Sequence, residues 1–155
     1  MYGLKQMLTK AYWIESRGKR MDGEYNVETI RVDFLKTHEE IKSKKVVKLF
    51  EMTQKWGAQR KPVIIDSSTG VILDGHHRHA VAVQLNLEQI AVIKVDYLND
   101  EKIKVESRNQ NLPFSSSKSE VIKMGLSEQN FPAKTTKHIF DFEVPDIWIN
   151  LEELS

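Results

Sequence analysis

Val71-Ile-Leu-Asp-Gly-His-His-Arg-His-Ala80 limits what this chain can fold into more than any other stretch. An apolar run, Val71 to Leu73, meets Asp74-Gly75 and passes into a charged, histidine-rich start of an Ala/Val segment. The pattern predicts a strand, a tight turn and a helix from about His76 to Leu85, with Asn86 as its stop. Asp74 is a good N-cap candidate, because its carboxylate can accept from first-turn amides. Gly75 permits a sharp turn and lets a ligand approach the backbone closely. The amides of Gly75, His76, His77 and Arg78 then point outward at the positive end of the helix dipole. That arrangement favours an anion such as phosphate.

The flanking segments supply a small sheet and its helices. Val27 to Leu35 places Ile30, Val32 and Phe34 on alternate positions, the pattern of a half-buried strand. Val46, Val47, Leu49, Phe50 and Met52 predict a helix to about Trp56, closed by Gly57. Val63–Ile65 and Val71–Leu73 read as a hairpin around Asp66-Ser-Ser-Thr-Gly70. Strands are expected at Ile90–Tyr97 and Lys102–Glu106, a polar loop at Asn109–Ser117 and a short helix at Ser119–Leu126. The cluster Phe131–Phe140 leads into a further short strand, and Ile147–Leu151 gives an edge strand or a final turn. This order predicts an α+β fold, a small mixed sheet with flanking helices.

The length, 155 residues, fits one domain. It divides into an N-terminal stretch (1–24) and a core (25–155). Leu4, Met7, Leu8, Ala11, Tyr12 and Ile14 give Met1–Arg17 a helical period. Arg17 to Gly23 forms a basic loop, read as a solvated connector or, more sharply, as a lid that reaches phosphates. A net charge of +1 argues against a nucleic-acid partner. With no cysteine, the chain cannot build disulfides, thiolate metal sites or a cysteine nucleophile, and it fits a reducing, cytoplasmic setting. The apolar runs are far shorter than the roughly 20 residues that span a bilayer, and no signal peptide is evident.

All five histidines lie in three motifs: Thr37-His-Glu-Glu40, Asp74-Gly-His-His-Arg-His79 and Lys134-Thr-Thr-Lys-His138. Each motif borders an apolar strand, so the three can converge at one edge of the sheet. One reading is zinc: His76 and His79 share a helix face at i,i+3, and His38 or Glu39 can complete three ligands. A phosphate site explains more residues. The helix-start amides take the phosphates, Arg78 or a histidine adds donors, and Asp74 holds magnesium with phosphate oxygens. Glu39 serves as base or metal partner. Lys134, Thr135, Thr136 and His138 offer donors to a second anionic group. These parts suit phosphoryl transfer, where catalysis is mainly positioning and charge stabilisation. The Lys42-Ser-Lys-Lys45 run reads as a solvated helix start, or as a group reaching the nucleotide. Trp13, Trp56 and Trp148 read as core or partly buried surface, or more sharply as stacking residues.

His38-Glu39 after a strand, Leu73-Asp-Gly-His-His-Arg78, and Lys134-Thr-Thr-Lys-His138 followed by Leu151-Glu-Glu-Leu154 resemble the archaeal free serine kinases of the ParB/sulfiredoxin fold. The resemblance spans about residue 27 to the end. It implies a magnesium-dependent kinase that moves a phosphoryl group from ADP or ATP to a small-molecule hydroxyl, with free L-serine giving O-phosphoserine. It implies catalytic roles for Glu39 (the base), Asp74 and His77, with Glu39 and Asp74 at the metal. Gly75, His76, His77, Arg78, Lys134, Thr135 and Thr136 would bind the nucleotide phosphates. His38, Thr136 and His138 would meet the substrate. The alternative within the same fold is a non-catalytic nucleotide-binding switch or DNA-associated protein; balanced charge and the lack of a following helix-turn-helix weigh against it. Sulfiredoxin chemistry needs a cysteine and is excluded.

Overall fold

The computed structural model describes residues 25–108 and 117–155. The expected N-terminal helix, the basic loop and all but the last residue of the 109–117 loop lie outside the described residues. Strand β1 (Val27–Arg31) is followed by a 3-10 turn at Val32–Phe34, helix α1 (Ser43–Trp56) and the short strand β2 (Ala58–Gln59). Next come β3 (Val63–Asp66), β4 (Ile72–Asp74), helix α2 (His76–Gln84) and β5 (Gln89–Val95). The remainder is β6 (Ile103–Ser107), α3 (Lys118–Gly125), β7 (Thr136–Phe140), β8 (Ile149–Asn150) and α4 (Leu151–Leu154). No helix among the described residues is long and apolar enough to cross a membrane.

The main sheet has the order β1-β5-β3-β4, with β3 and β5 parallel and the outer pairs antiparallel. The mixed sheet and flanking helices are the expected α+β architecture. Strand β3 is buried along its whole length, which explains why Val63-Ile-Ile65 is a continuous apolar run rather than an alternating one. Alternate residues feed two cores. Ile64, Ala91, Ile93 and Val95 join Tyr97, Val121 and Phe131 on one face. Val63, Ile65, Ile90 and Val92 meet Ala82 of α2 and Leu35 on the other.

The first strand is shorter than its alternation suggests. At Val32 the chain turns, with its amide on Glu88 O (2.9 Å) and the Leu35 amide closing back on Val32 O (3.1 Å). The turned chain then runs along the open edge of β4. Lys36 N donates to Gly70 O, and Ile72 N donates to Lys36 O. This delivers Thr37-His-Glu39 to the end of β4, where α2 begins. A second crossing brings Phe131 beside the same segment: Phe131 N donates to His38 O and Glu40 N to Phe131 O, both at 2.8 Å. Strand β7 pairs antiparallel with β6, placing Thr136 opposite Ser107. The three histidine-bearing motifs therefore do converge.

Helix α1 closes as expected at Gly57, which sits left-handed (φ 68°) with its amide on Thr53 O. The N-cap expected at Asp74 is not observed. Asp74 is the last residue of β4, and Gly75 occupies the cap with φ 112° and no side-chain cap bond. The strand-to-helix reversal demands a positive φ that aspartate adopts poorly, so glycine takes the corner. A Cβ there would also lie 2.7 Å from Arg78 Nη1 and 3.0 Å from Val63.

Candidate active site

A polar cleft of about 210 Å³ opens where these segments meet, lined by Glu39, Lys42, Lys45, Asp74, Gly75, His76, His77, Arg108, Lys134, Thr136 and His138 among others. A larger apolar cleft of about 480 Å³ lies on the other side of the Asp74-Gly75 turn, between α1 and α2. Asp74, Gly75 and His77 line both.

Glu39 is the most constrained side chain in the polar cleft. Its Oε1 accepts from Thr136 N (2.8 Å), Thr136 Oγ1 (2.9 Å) and Thr135 N (3.1 Å). Its Oε2 accepts only the longer contact from Lys134 N, 3.3 Å. The Lys-Thr-Thr segment thus wraps a carboxylate with its backbone, helped by Lys134 in the left-handed region (φ 62°). Four donors aimed at one carboxylate fix its position.

The histidines divide by position. His38 is 1% exposed, and both ring nitrogens are engaged: Nδ1 with Ile72 O (2.7 Å) and Nε2 with Thr136 Oγ1 (3.0 Å). A carbonyl only accepts, so the proton sits on Nδ1. His38 therefore stands behind Glu39 and does not reach a substrate, contrary to the expected contact. Thr135 is likewise buried, its hydroxyl donating to Pro132 O. It holds Glu39 through its amide instead of touching phosphate.

His76 Nε2 accepts from the His38 amide (3.1 Å) and His77 Nε2 from the Lys42 amide (3.2 Å). Both rings are consequently neutral, with the proton on Nδ1. Burial lowers the pKa of each, well below the usual histidine value for His76. His138 accepts from or donates to Tyr97 Oη at 2.8 Å, and burial lowers its pKa to about 3. His79 turns to a separate shallow groove with Ile41 and Val83. The zinc reading fails on this geometry, since His76 spends Nε2 on a backbone amide. No group of three or more His, Asp and Glu side chains among the described residues is disposed to hold a metal ion.

Asp74 is half exposed, and its nearest cation is Arg78 Nη1 at 3.7 Å. Its carboxylate faces both clefts with oxygens to spare, which suits a magnesium ion completed by phosphate oxygens and water. Glu39 fits that role less well, because three donors already occupy Oε1. Arg78 donates to Pro62 O (3.0 Å) and lines only the apolar cleft. The amides of His76, His77 and Arg78 have no acceptor within α2, as at any helix start.

Three basic residues were not singled out as site residues by sequence pattern: Lys42, Lys45 and Arg108. Lys42 and Lys134 stand together at the cleft, and the neighbouring ammonium of Lys134 lowers the Lys42 pKa. The signal was present in the Lys42–Lys45 run, which reads equally well as a solvated helix start. Arg108 is oriented by its Nε bond to Thr136 O, 2.7 Å.

No family model matches the chain. A ParB-like protein of Sulfolobus acidocaldarius is 33% identical over 93 residues, 60% of this chain and 46% of the relative. An ATP-dependent L-serine kinase of Staphylothermus marinus is 33% identical over 82 residues, 50% of this chain and 32% of that kinase. The chain thus matches less than half the length of these curated relatives. Among solved structures, a free serine kinase in complex with AMP superposes with a TM-score of 0.73 at 16% identity, covering 83% of this chain and 93% of that one. A variant of free serine kinase in complex with ADP gives the same TM-score. This chain therefore has the fold of free serine kinase, and over part of its length it is similar in sequence to a ParB-like protein and to an ATP-dependent L-serine kinase.

Proposed function

We propose that the protein is a small-molecule kinase that transfers a phosphoryl group from ADP or ATP to the hydroxyl of free L-serine. The reading rests on one observation above all: a carboxylate held by the Lys134–Thr136 backbone lines the same cleft as an uncapped, glycine-cornered helix start. The fold shared with free serine kinase and the serine kinase homologue support it.

In this mechanism the helix-start amides of His76 and His77 receive the donor's phosphates, joined by the Nδ1–H groups of both rings. The nucleoside lies in the apolar cleft against Leu49, Trp56, Val81 and Leu85. Lys42, Lys45, Arg108 and Lys134 offset the charge of the transferring group. Asp74 would hold magnesium, which supplies charge neutralisation at the phosphate oxygens. Glu39 accepts the serine hydroxyl proton on Oε2, its less occupied oxygen.

The test is phosphorus NMR of the protein with magnesium, serine, and ADP or ATP in separate tubes. A new phosphomonoester signal is expected in at least one tube and identifies the donor. Intact nucleotide in both tubes would overturn serine phosphorylation. Nucleotide loss without a phosphomonoester would favour a hydrolase or nucleotide switch instead.

A further inference from the structure

Arg108 follows directly on β6 and is anchored twice to the neighbouring chain. Its amide donates to Thr135 O (2.9 Å), and its Nε donates to Thr136 O (2.7 Å). The first bond fixes the backbone, and the second fixes the plane of the guanidinium. With Nε spent, the edge that remains is the pair Nη1 and Nη2, which can donate two parallel bonds to one planar acceptor. Among the described residues, no Asp or Glu lies within ion-pair distance of it. Residues 109–116, which follow it, contain no acid. A guanidinium held in one orientation without a carboxylate partner suits a carboxylate brought by a ligand.

Its place in the polar cleft indicates which ligand. Thr136 gives its amide to Glu39 Oε1 (2.8 Å) and its carbonyl to Arg108 Nε. The proposed base and the guanidinium are therefore each one hydrogen bond from the same residue, and both line the cleft of about 210 Å³. A three-carbon acceptor whose hydroxyl meets Glu39 has its carboxyl group at the other end, on the side of Arg108. An ammonium at this position would supply the charge but not the paired donors.

We propose that Arg108 is a specificity-determining residue that takes the carboxylate of the acceptor through Nη1 and Nη2. The substrate class is then a small 3-hydroxy acid with a free carboxylate. An amide or ester of the same compound is a poor substrate, and so is a serine inside a peptide. The proposal rests on the kinase reading and adds to it a reason for choosing a free amino acid. The charge of Arg108 still acts on the transferring phosphoryl group through space, while its hydrogen bonds go to the carboxylate.

The experiment compares L-serine with L-serinamide, which keeps the hydroxyl and loses the carboxylate. The whole chain should favour L-serine by about a hundredfold in kcat/KM, less than a fully buried polar reader achieves because Arg108 is exposed. Arg108→Met should shrink that preference to a few-fold, with the loss falling on the KM for L-serine. Arg108→Lys should recover only part of it. A preference that survives Arg108→Met overturns the proposal. So does an equal loss for both substrates, which would place Arg108 at the phosphoryl group or in the support of β7.

A second measurement needs no turnover and no folded Met variant. Proton–nitrogen NMR of the arginine side chains is recorded on the wild type with AMP, the Arg108 signal being assigned by its absence in Arg108→Lys. L-serine should shift that signal, and L-serinamide should not. A shift with both ligands or with neither overturns the carboxylate contact. A wild type that makes no phosphoserine sinks the kinase reading, and a signal that still answers to L-serine alone leaves the carboxylate site standing. An active kinase whose Arg108 signal ignores L-serine sinks the carboxylate contact alone.

Discussion

The two clefts that share the Asp74–His77 turn are built by opposite means. The apolar one is bounded by the side chains that pack α1 and α2 together, such as Leu49, Val81 and Leu85. The polar one is assembled from the chain after the first strand, the α2 start, Arg108 and the Lys134–His138 stretch. Its geometry is set by hydrogen bonds spanning up to 98 residues, not by shape alone. An apolar wall tolerates sliding, since its attraction is non-directional. A carboxylate tied to three successive amides does not. Chemistry that needs placement therefore belongs on the polar side, and affinity that needs only surface belongs on the apolar side.

Removing the tied carboxylate tests that division most severely. Glu39→Ala should lower turnover by about 10²- to 10⁴-fold, the usual worth of a general base. Nucleotide affinity by calorimetry should change less than about threefold, because Glu39 does not line the apolar cleft. Equal losses of turnover and affinity would mean that the two clefts are not separable.

Acid should discriminate between the clefts through stability. His138 is lowered to about 3, and His38 and His76 are lowered too, in each case first by burial. These histidines bind protons in the unfolded chain before they do so in the folded one. Stability is thus fully present above the ordinary value near 6.5 and is lost as pH falls from there toward the depressed values. At about 1.4 kcal/mol per unit, His138 alone contributes on the order of a few kcal/mol over that window. Urea midpoints should drop between pH 7 and pH 5, and His138→Phe should reduce the drop. A midpoint unchanged across that interval would contradict the buried, neutral state of the ring.

Much of the frame was legible in the sequence because it is local. The Val63–Leu73 hairpin, the Gly57 cap and the α2 start follow from apolar runs and turn residues that lie within a few positions of each other. Aspartate and glycine both suit a helix start, so side-chain chemistry alone does not choose between Asp74 and Gly75 as the cap. Only the φ of 112° at the corner decides between them. The Glu39 cradle was invisible for a different reason. Its donors are backbone amides about a hundred residues away, and backbone amides leave no trace in side-chain chemistry. The Lys-Thr-Thr segment was recognised as part of a site, but its role as a holder of Glu39 came only with the fold. His38 shows the same limit: its motif placed it at the site, and its burial set it behind Glu39.

The turn shared by both clefts is the next place to press. Asp74→Asn keeps the shape and removes the charge. Nucleotide affinity measured with magnesium should fall about tenfold, equivalent to about 1.4 kcal/mol. Affinity without magnesium should stay level or rise slightly, since a carboxylate beside phosphate is repulsive when no cation lies between them. Identical affinities with and without magnesium in the wild type would remove Asp74 from the metal.

The smallest effect is expected on the apolar side. Trp56 forms part of that wall and lies against the Arg60 guanidinium, 5.1 Å from its ring centre. Trp56→Ala removes surface on which a nucleoside can rest while leaving the helix-start amides untouched. Affinity for ADP should fall a few-fold, a loss of about 1 kcal/mol for partial uncovering of an aromatic contact. Affinity for pyrophosphate, which has no base, should not change. Equal losses for both ligands would mean that Trp56 acts through the packing of α1 against the turn, and that the apolar cleft is not where the nucleoside binds. A loss confined to ADP would separate the two clefts by ligand: one reads the base, and the other handles the phosphate.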